Sequence, residues 1–202
     1  MASNFIFLRR YWPDLAQLGE MAELYLFFDP KNCIFKLGTL GERIAAGILS
    51  YEAVTVPGGT SPAGLLRLLE RNRILPPKID GLLFSLRKAQ NSTIRQSQLT
   101  VDQAKPLLQA AYHLSCWYME VYGDGNFAAA PYTEPADLSG QEDFQDTLQK
   151  QEEALAGLPA QVTAGPTAAS GIPAEKRRQK AADAAEALTL SAAETQCLAA
   201  GQ

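Results

Sequence analysis

Pro13, Pro30, Pro62 and Pro77 each stand at the head of an apolar stripe of helical spacing. Proline has no backbone N–H and a fixed φ, so it suits the first turn of a helix and breaks a helix interior or a central strand. Trp12-Pro13-Asp14 reads as a start signal, with an acid near the positive end of the helix dipole. Leu15, Leu18, Ala22, Tyr25 and Leu26 follow it at helical spacing. Asp29-Pro30 restarts a second stripe of Ile34, Leu37, Gly41, Ile44 and Ile48. Gly38, Gly41 and Gly47 either admit a close neighbour or weaken this helix. After the loop Val56-Pro57-Gly58-Gly59, Thr60 or Ser61 caps a third helix with Leu65, Leu66, Leu68 and Leu69. Pro76-Pro77 sets up a fourth through Ile79, Leu82, Leu83 and Leu86.

Thr100-Val101-Asp102-Gln103 has the capping-box pattern of a fifth helix. Ala104, Leu107, Leu108, Ala111, Leu114, Tyr118 and Val121 form its stripe. Pro106 lies inside that stripe, and bends its start or moves the cap to Asp102; Gly123 and Gly125 end it. No useful strand alternation appears. The expectation is an all-α bundle of about five helices over residues 8–123, within a domain spanning 1–124.

Composition changes beyond Gly123. Residues 125–137 are rich in Pro, Ala and Gly and read as a linker. Residues 138–158 carry Phe144, Leu148, Leu155 and Leu158 among Glu, Gln and Lys, a thin amphipathic helix or the start of a coiled coil. A second linker spans 159–173. Residues 174–202 form an Ala-rich tail, helical by propensity but with few large apolar side chains, so a spacer or a mobile segment is expected.

Charge divides along the same boundary. Residues 1–123 have a net charge of +3 and residues 124–202 one of -7. Arg67, Arg71, Arg73, Lys78, Arg87, Lys88 and Arg95 concentrate positive charge in one stretch, which reads as a solvated helix face or as a phosphate footprint. Cys33, Cys116 and Cys197 lack the number and spacing of a disulfide framework or a zinc site. Phe5-Ile6-Phe7-Leu8 before Arg9-Arg10 is too short for a leader or a membrane span, so no membrane association and a cytoplasmic location are expected. No phosphate-binding loop, dinucleotide fingerprint or hydrolase elbow occurs, and no cofactor is expected. The single histidine, His113, reads as a partly buried structural residue; with Cys116 three residues on, the competing reading is a Cys/His nucleophile pair.

The stretch from Leu75-Pro76 through Leu86-Arg87-Lys88, Asn91 and Arg95 resembles the motif helix of the HEPN-like domain at the N-terminus of type I restriction enzyme R subunits. Trp12-Pro13-Asp14-Leu15-Ala16 to Tyr25 is similar to that family's opening, and Asp29-Pro30 with Lys36-Leu37 and Glu42 continues it. Trp117-Tyr118 to Tyr122-Gly123-Asp124 is similar to its closing helix. More loosely, Thr189-Leu190-Ser191 with Glu194-Thr195 is similar to the segment that joins a coiled-coil spacer to the nuclease domain in the full-length subunit.

The resemblance implies a HEPN-like bundle and, in active HEPN ribonucleases, a polar residue followed five positions later by a histidine that acts on the scissile phosphate. Here those positions hold Gln90 and Arg95, and Gly38 stands where the family usually has an arginine. Arginine does not titrate near neutral pH and is a poor general base, although its forked donors hold phosphate well. The expectation is therefore no catalytic residue and no enzyme activity in this chain. The resemblance implies a non-catalytic accessory module of a DNA-restricting enzyme, expected to contribute subunit docking or contact to a DNA or RNA backbone through Arg87, Lys88, Asn91 and Arg95. The alternatives are a HEPN-type ribonuclease or toxin with a degenerate site, and a free-standing protein that dimerises through the motif helix. The nuclease and helicase motor of the resembling subunits have no counterpart in these residues, so the chain reads as a fragment or a truncated relative.

Overall fold

A computed structural model describes residues 3–95, 98–157 and 173–199, with the side chains of 197–199 excepted. Among these the protein is all-α. A 3-10 turn at Ile6–Arg10 precedes α1 (Pro13–Phe28), α2 (Pro30–Tyr51), α3 (Pro62–Arg71), α4 (Pro77–Arg95) and α5 (Val101–Tyr118). α5 runs on into a π turn at Met119–Gly123, and α6 (Phe144–Ala156), α7 (Ala174–Ala187) and α8 (Ala192–Ala199) follow. No described helix is long and apolar enough to cross a membrane.

The prolines sit where the sequence puts them. Pro13, Pro30 and Pro62 occupy the first turns of α1, α2 and α3. Side chains cap α2, α3 and α5: Asp29 accepts from the Asn32 N–H (3.1 Å), Ser61 from Gly64 (3.3 Å), and Thr100 from Gln103 (3.4 Å). Gln103 Oε1 accepts in return from the Thr100 N–H at 3.0 Å, which completes the capping box. Pro106 therefore leaves the cap at Thr100 and lies inside the helix.

α2 is the hub, packed against α1, α3, α4 and α5. Its stripe of Ile34, Leu37, Leu40, Ile44 and Ile48 is buried. Asp14, read from sequence as a dipole residue of α1, is also buried and bonds Arg43 of α2 at 2.8 Å. At one end of the bundle Trp12, Tyr51, Tyr118 and Tyr122 pack ring on ring, with Trp12 and Tyr118 centroids 4.4 Å apart.

The C-terminal third differs from the spacer expected. Residues 125–137 have no regular structure, yet they are tied down. The Tyr112 hydroxyl donates to the Ala130 carbonyl, Asn4 exchanges bonds with Thr133 at 2.8 and 3.0 Å, and Lys105 pairs with Glu134 at 2.7 Å. α6 lies on α1, with Phe144 and Leu148 buried and Phe144 against Phe28. α7 docks through Arg177, whose Nη1 donates to the Tyr51 carbonyl (3.1 Å), and through Ala181, whose carbonyl accepts from Trp117 Nε1 (3.0 Å). A helix without large apolar residues is thus fixed by buried alanines and by polar bonds from its first turn to its middle. The expected linker 159–173 lies outside the described residues apart from Pro173.

Candidate functional site

α4 carries the motif residues, and its two faces meet different surroundings. Ile79, Leu82, Leu83, Leu86, Gln90 and Thr93 point inward and are buried. Residue 95 lies five positions past residue 90, a rotation of about 140° at 3.6 residues per turn. Gln90 and Arg95 are accordingly on opposite sides of the helix, one buried and one exposed. The two positions do not converge on a common point.

Gln90 is instead packed on α2. A Cβ added at Gly38 would lie 2.4 Å from the Gln90 Cβ and 2.5 Å from its Cδ. Gly38 therefore makes the room that Gln90 fills, so two of the three positions noted as departures from the HEPN pattern are in contact. A neutral amide suits this place, since a buried charge would need a partner to offset its desolvation. The Gln90 Nε2 reaches Thr39 Oγ1 at 3.4 Å, and its side chain also bonds Glu42. Burial pushes the Glu42 carboxyl above its ordinary range, against the pull of Arg87 and the bond from Gln90. Sequence reading names both positions but not their contact, which has no local signature.

Arg87 is half-buried beside Glu42. With Gly38, Gly41, Ala45, Pro62, Leu66 and Leu83 it lines a hollow of about 10 Å³. That is room for a single water and far below a small-molecule site. Lys88, Asn91 and Arg95 are exposed on the outer side of α4, which also carries Phe84 and Ile94, 47% and 81% exposed. Of the remaining basic residues, Lys78 is turned to the tail, donating to the Leu188 carbonyl at 2.8 Å, and Arg67, Arg71 and Arg73 are exposed on and after α3.

The Cys/His reading does not match the geometry. His113 Nδ1 is 2.6 Å from Glu194 Oε1, a residue of α8 and fully buried. Burial pushes the Cys116 thiol up to about 12, a shift that its hydrogen bond with Tyr112 only partly offsets. A thiol held that high stays protonated at neutral pH and is a poor nucleophile. Cys33 is likewise buried, and the Cys197 side chain lies outside the described residues. Among the described residues no three His, Cys, Asp or Glu side chains gather as a metal site.

Compared with protein-family models, curated proteins and solved structures, the chain matches none.

Proposed function

We propose that this chain is a non-catalytic accessory module that docks through the outer face of α4, within an R subunit of a type I restriction–modification system in the cytoplasm. The observation that carries the reading is the separation of Gln90 from Arg95. Gln90 is used up as packing against Gly38, and Arg95 is exposed on the far side of α4. Neither can serve as a general base for the other, and Arg95 does not titrate. What α4 offers is an outer face that carries Arg87, Lys88, Asn91 and Arg95 next to the exposed Phe84 and Ile94. The resemblance of residues 5–124 to the HEPN-like region supplies the context. Subunit docking is the primary use of this face, and contact to nucleic-acid phosphate is its competitor.

Photo-crosslinking from position 91, after replacing Asn91 with a photoreactive residue, tests the reading. Formation of an adduct with another restriction–modification subunit is expected. Incubation with labelled RNA should leave it intact; metal-independent cleavage that disappears in Arg95→Ala would overturn the proposal and favour a degenerate HEPN ribonuclease.

A further inference from the structure

We infer that the end of the bundle where α2 meets the π turn is an arginine-receiving site. Arg177 of α7 fills it in cis as a releasable blocker, and an arginine-bearing helix of another protein fills it when α7 leaves. The site lies about 20 Å along α2 from the contact of Gly38 with Gln90, separate from the α4 residues named above. Three kinds of group converge on the Arg177 guanidinium. The Tyr51 carbonyl accepts from its Nη1 at 3.1 Å, Glu52 Oε1 lies 3.3 Å from its Nε, and the Tyr122 ring centroid is 6.0 Å from its Cζ. A carbonyl, a carboxylate and an aromatic face are the partners that a guanidinium takes.

Glu52 shows that the cis occupant is an incomplete one. Its side chain is 2% exposed, and both contacts fall on Oε1: Arg177, and the Tyr122 hydroxyl, which donates at 3.3 Å. Oε2 is buried and has no hydrogen-bond partner among the described residues. A buried carboxylate oxygen without a donor carries a desolvation cost. A guanidinium fork set squarely on the carboxylate engages both oxygens, a geometry that Arg177 does not reach. The site therefore favours an arginine placed better than the one it holds.

α7 is suited to leave. Its buried residues are Arg177, Ala181, Ala184 and Ala185, which share one helical face at i, i+4, i+7 and i+8. Behind the arginine this face has only small side chains, so the site accepts a helix that carries an arginine followed by small residues at those spacings. A second copy's α7 has the same face but brings the same contact to one oxygen. The tethered α7 competes with it at an effective concentration in the millimolar range. Exchange between copies is disfavoured on that account, whereas a partner whose arginine meets both oxygens has an advantage over the tail.

The test uses two variants of the full chain. Arg177→Ala removes the guanidinium and leaves Glu52 to receive another. Millimolar methylguanidinium should raise the Tm of this variant by about 2–4 °C and leave the wild type unmoved, while methylammonium, which lacks the fork, should not rescue it. Adding Glu52→Gln should abolish the response. Arg177→Glu sets a carboxylate against Glu52 and expels α7. A synthetic peptide with the sequence of residues 173–187 should then bind this variant about tenfold or more tighter than it binds the wild type, and the same peptide carrying Arg177→Ala should lose that binding. Equal action of methylguanidinium on wild type and Arg177→Ala, equal rescue by methylammonium, or no peptide binding to Arg177→Glu would each overturn the inference. So would unfolding of the bundle in both variants, which would make α7 part of the body, or a wild-type dimer that Arg177→Ala dissolves, which would make the occupant a second copy.

Discussion

The α1–α5 bundle and the segment after Gly123 reach the same helical state by different physics. In the bundle, unbroken stripes such as Ile34, Leu37, Leu40, Ile44 and Ile48 go to the interior, and apolar burial supplies the stability. Beyond Gly123 the fully buried apolar side chains among the described residues are few, Phe144 and Leu148 on α6 and three alanines on α7, with Phe127, Tyr132, Leu138, Leu155, Leu188 and Leu190 partly buried against the core. That segment is held at discrete polar points, Arg177 on Tyr51 and Glu52, Ala181 on Trp117, Leu188 on Lys78, and Glu194 on His113. Distributed burial tolerates the loss of one contact only at high cost to the whole. Point attachment allows a helix to detach while the body stays folded.

The largest expected effect lies in the bundle. Trp12 is fully buried and stacked on Tyr118, so Trp12→Ala should cost about 3–5 kcal/mol in urea unfolding and loosen both regions together. Next comes the seam between α2 and α4. Gly38→Arg places a Cβ 2.4 Å from that of Gln90 and should destabilise by about 3 kcal/mol. A Gly38→Arg/Gln90→Ala double variant should recover part of the loss, a coupling that a double-mutant cycle reads directly.

In the tail the effect should be local. Glu194 accepts from the Ser191 N–H at 2.7 Å while meeting His113, so it both caps α8 and anchors it to α5. Glu194→Gln should raise hydrogen exchange across α8 by about 1.5 kcal/mol of opening free energy and leave bundle melting almost unmoved. A drop of bundle and α8 together would contradict the distinction between the two regions. The same carboxylate makes a pH prediction. Burial works to raise its pKa, but the bonds from His113 and Ser191 outweigh that and hold it below the usual range. A depressed folded-state pKa contributes stability above the unfolded value and loses it as pH falls through the folded one. α8 should therefore stay docked through the ordinary glutamate range and release below it, followed by the exchange rates of its amides.

The smallest effect concerns the helix ends. α2 and α3 finish in Schellman-type turns, with Val54 N–H on Leu49 O (2.9 Å) and Ile74 N–H on Leu69 O (3.2 Å). Their left-handed residues are Ala53 and Arg73, at φ 53 and 50. Ala53→Gly should stabilise the protein by about 0.5–1 kcal/mol, a rise in Tm, because glycine adopts that backbone region without strain.

The helices themselves were legible because their signals are local. Pro13, Asp29-Pro30, Ser61-Pro62 and Thr100 with Gln103 act within four residues, and the apolar stripes repeat every turn. The site was legible in part. α4 and its charged residues follow from spacing, and so does the outward position of Lys88, Asn91 and Arg95 relative to the Leu82–Leu86 stripe. The contact between Gly38 and Gln90 does not, since nothing local to either residue encodes which turn of α2 meets which turn of α4. The tail is the extreme case. Ala-rich α7 has propensity but no stripe, and its place depends on Arg177 reaching Tyr51, 126 positions away. Periodicity and capping are properties of neighbours along the chain, and they suffice for secondary structure and for the core face of each helix. Docking through single polar residues leaves no repeating trace, so the wrapped tail and the open face of α4 emerge only when the chain is folded in three dimensions.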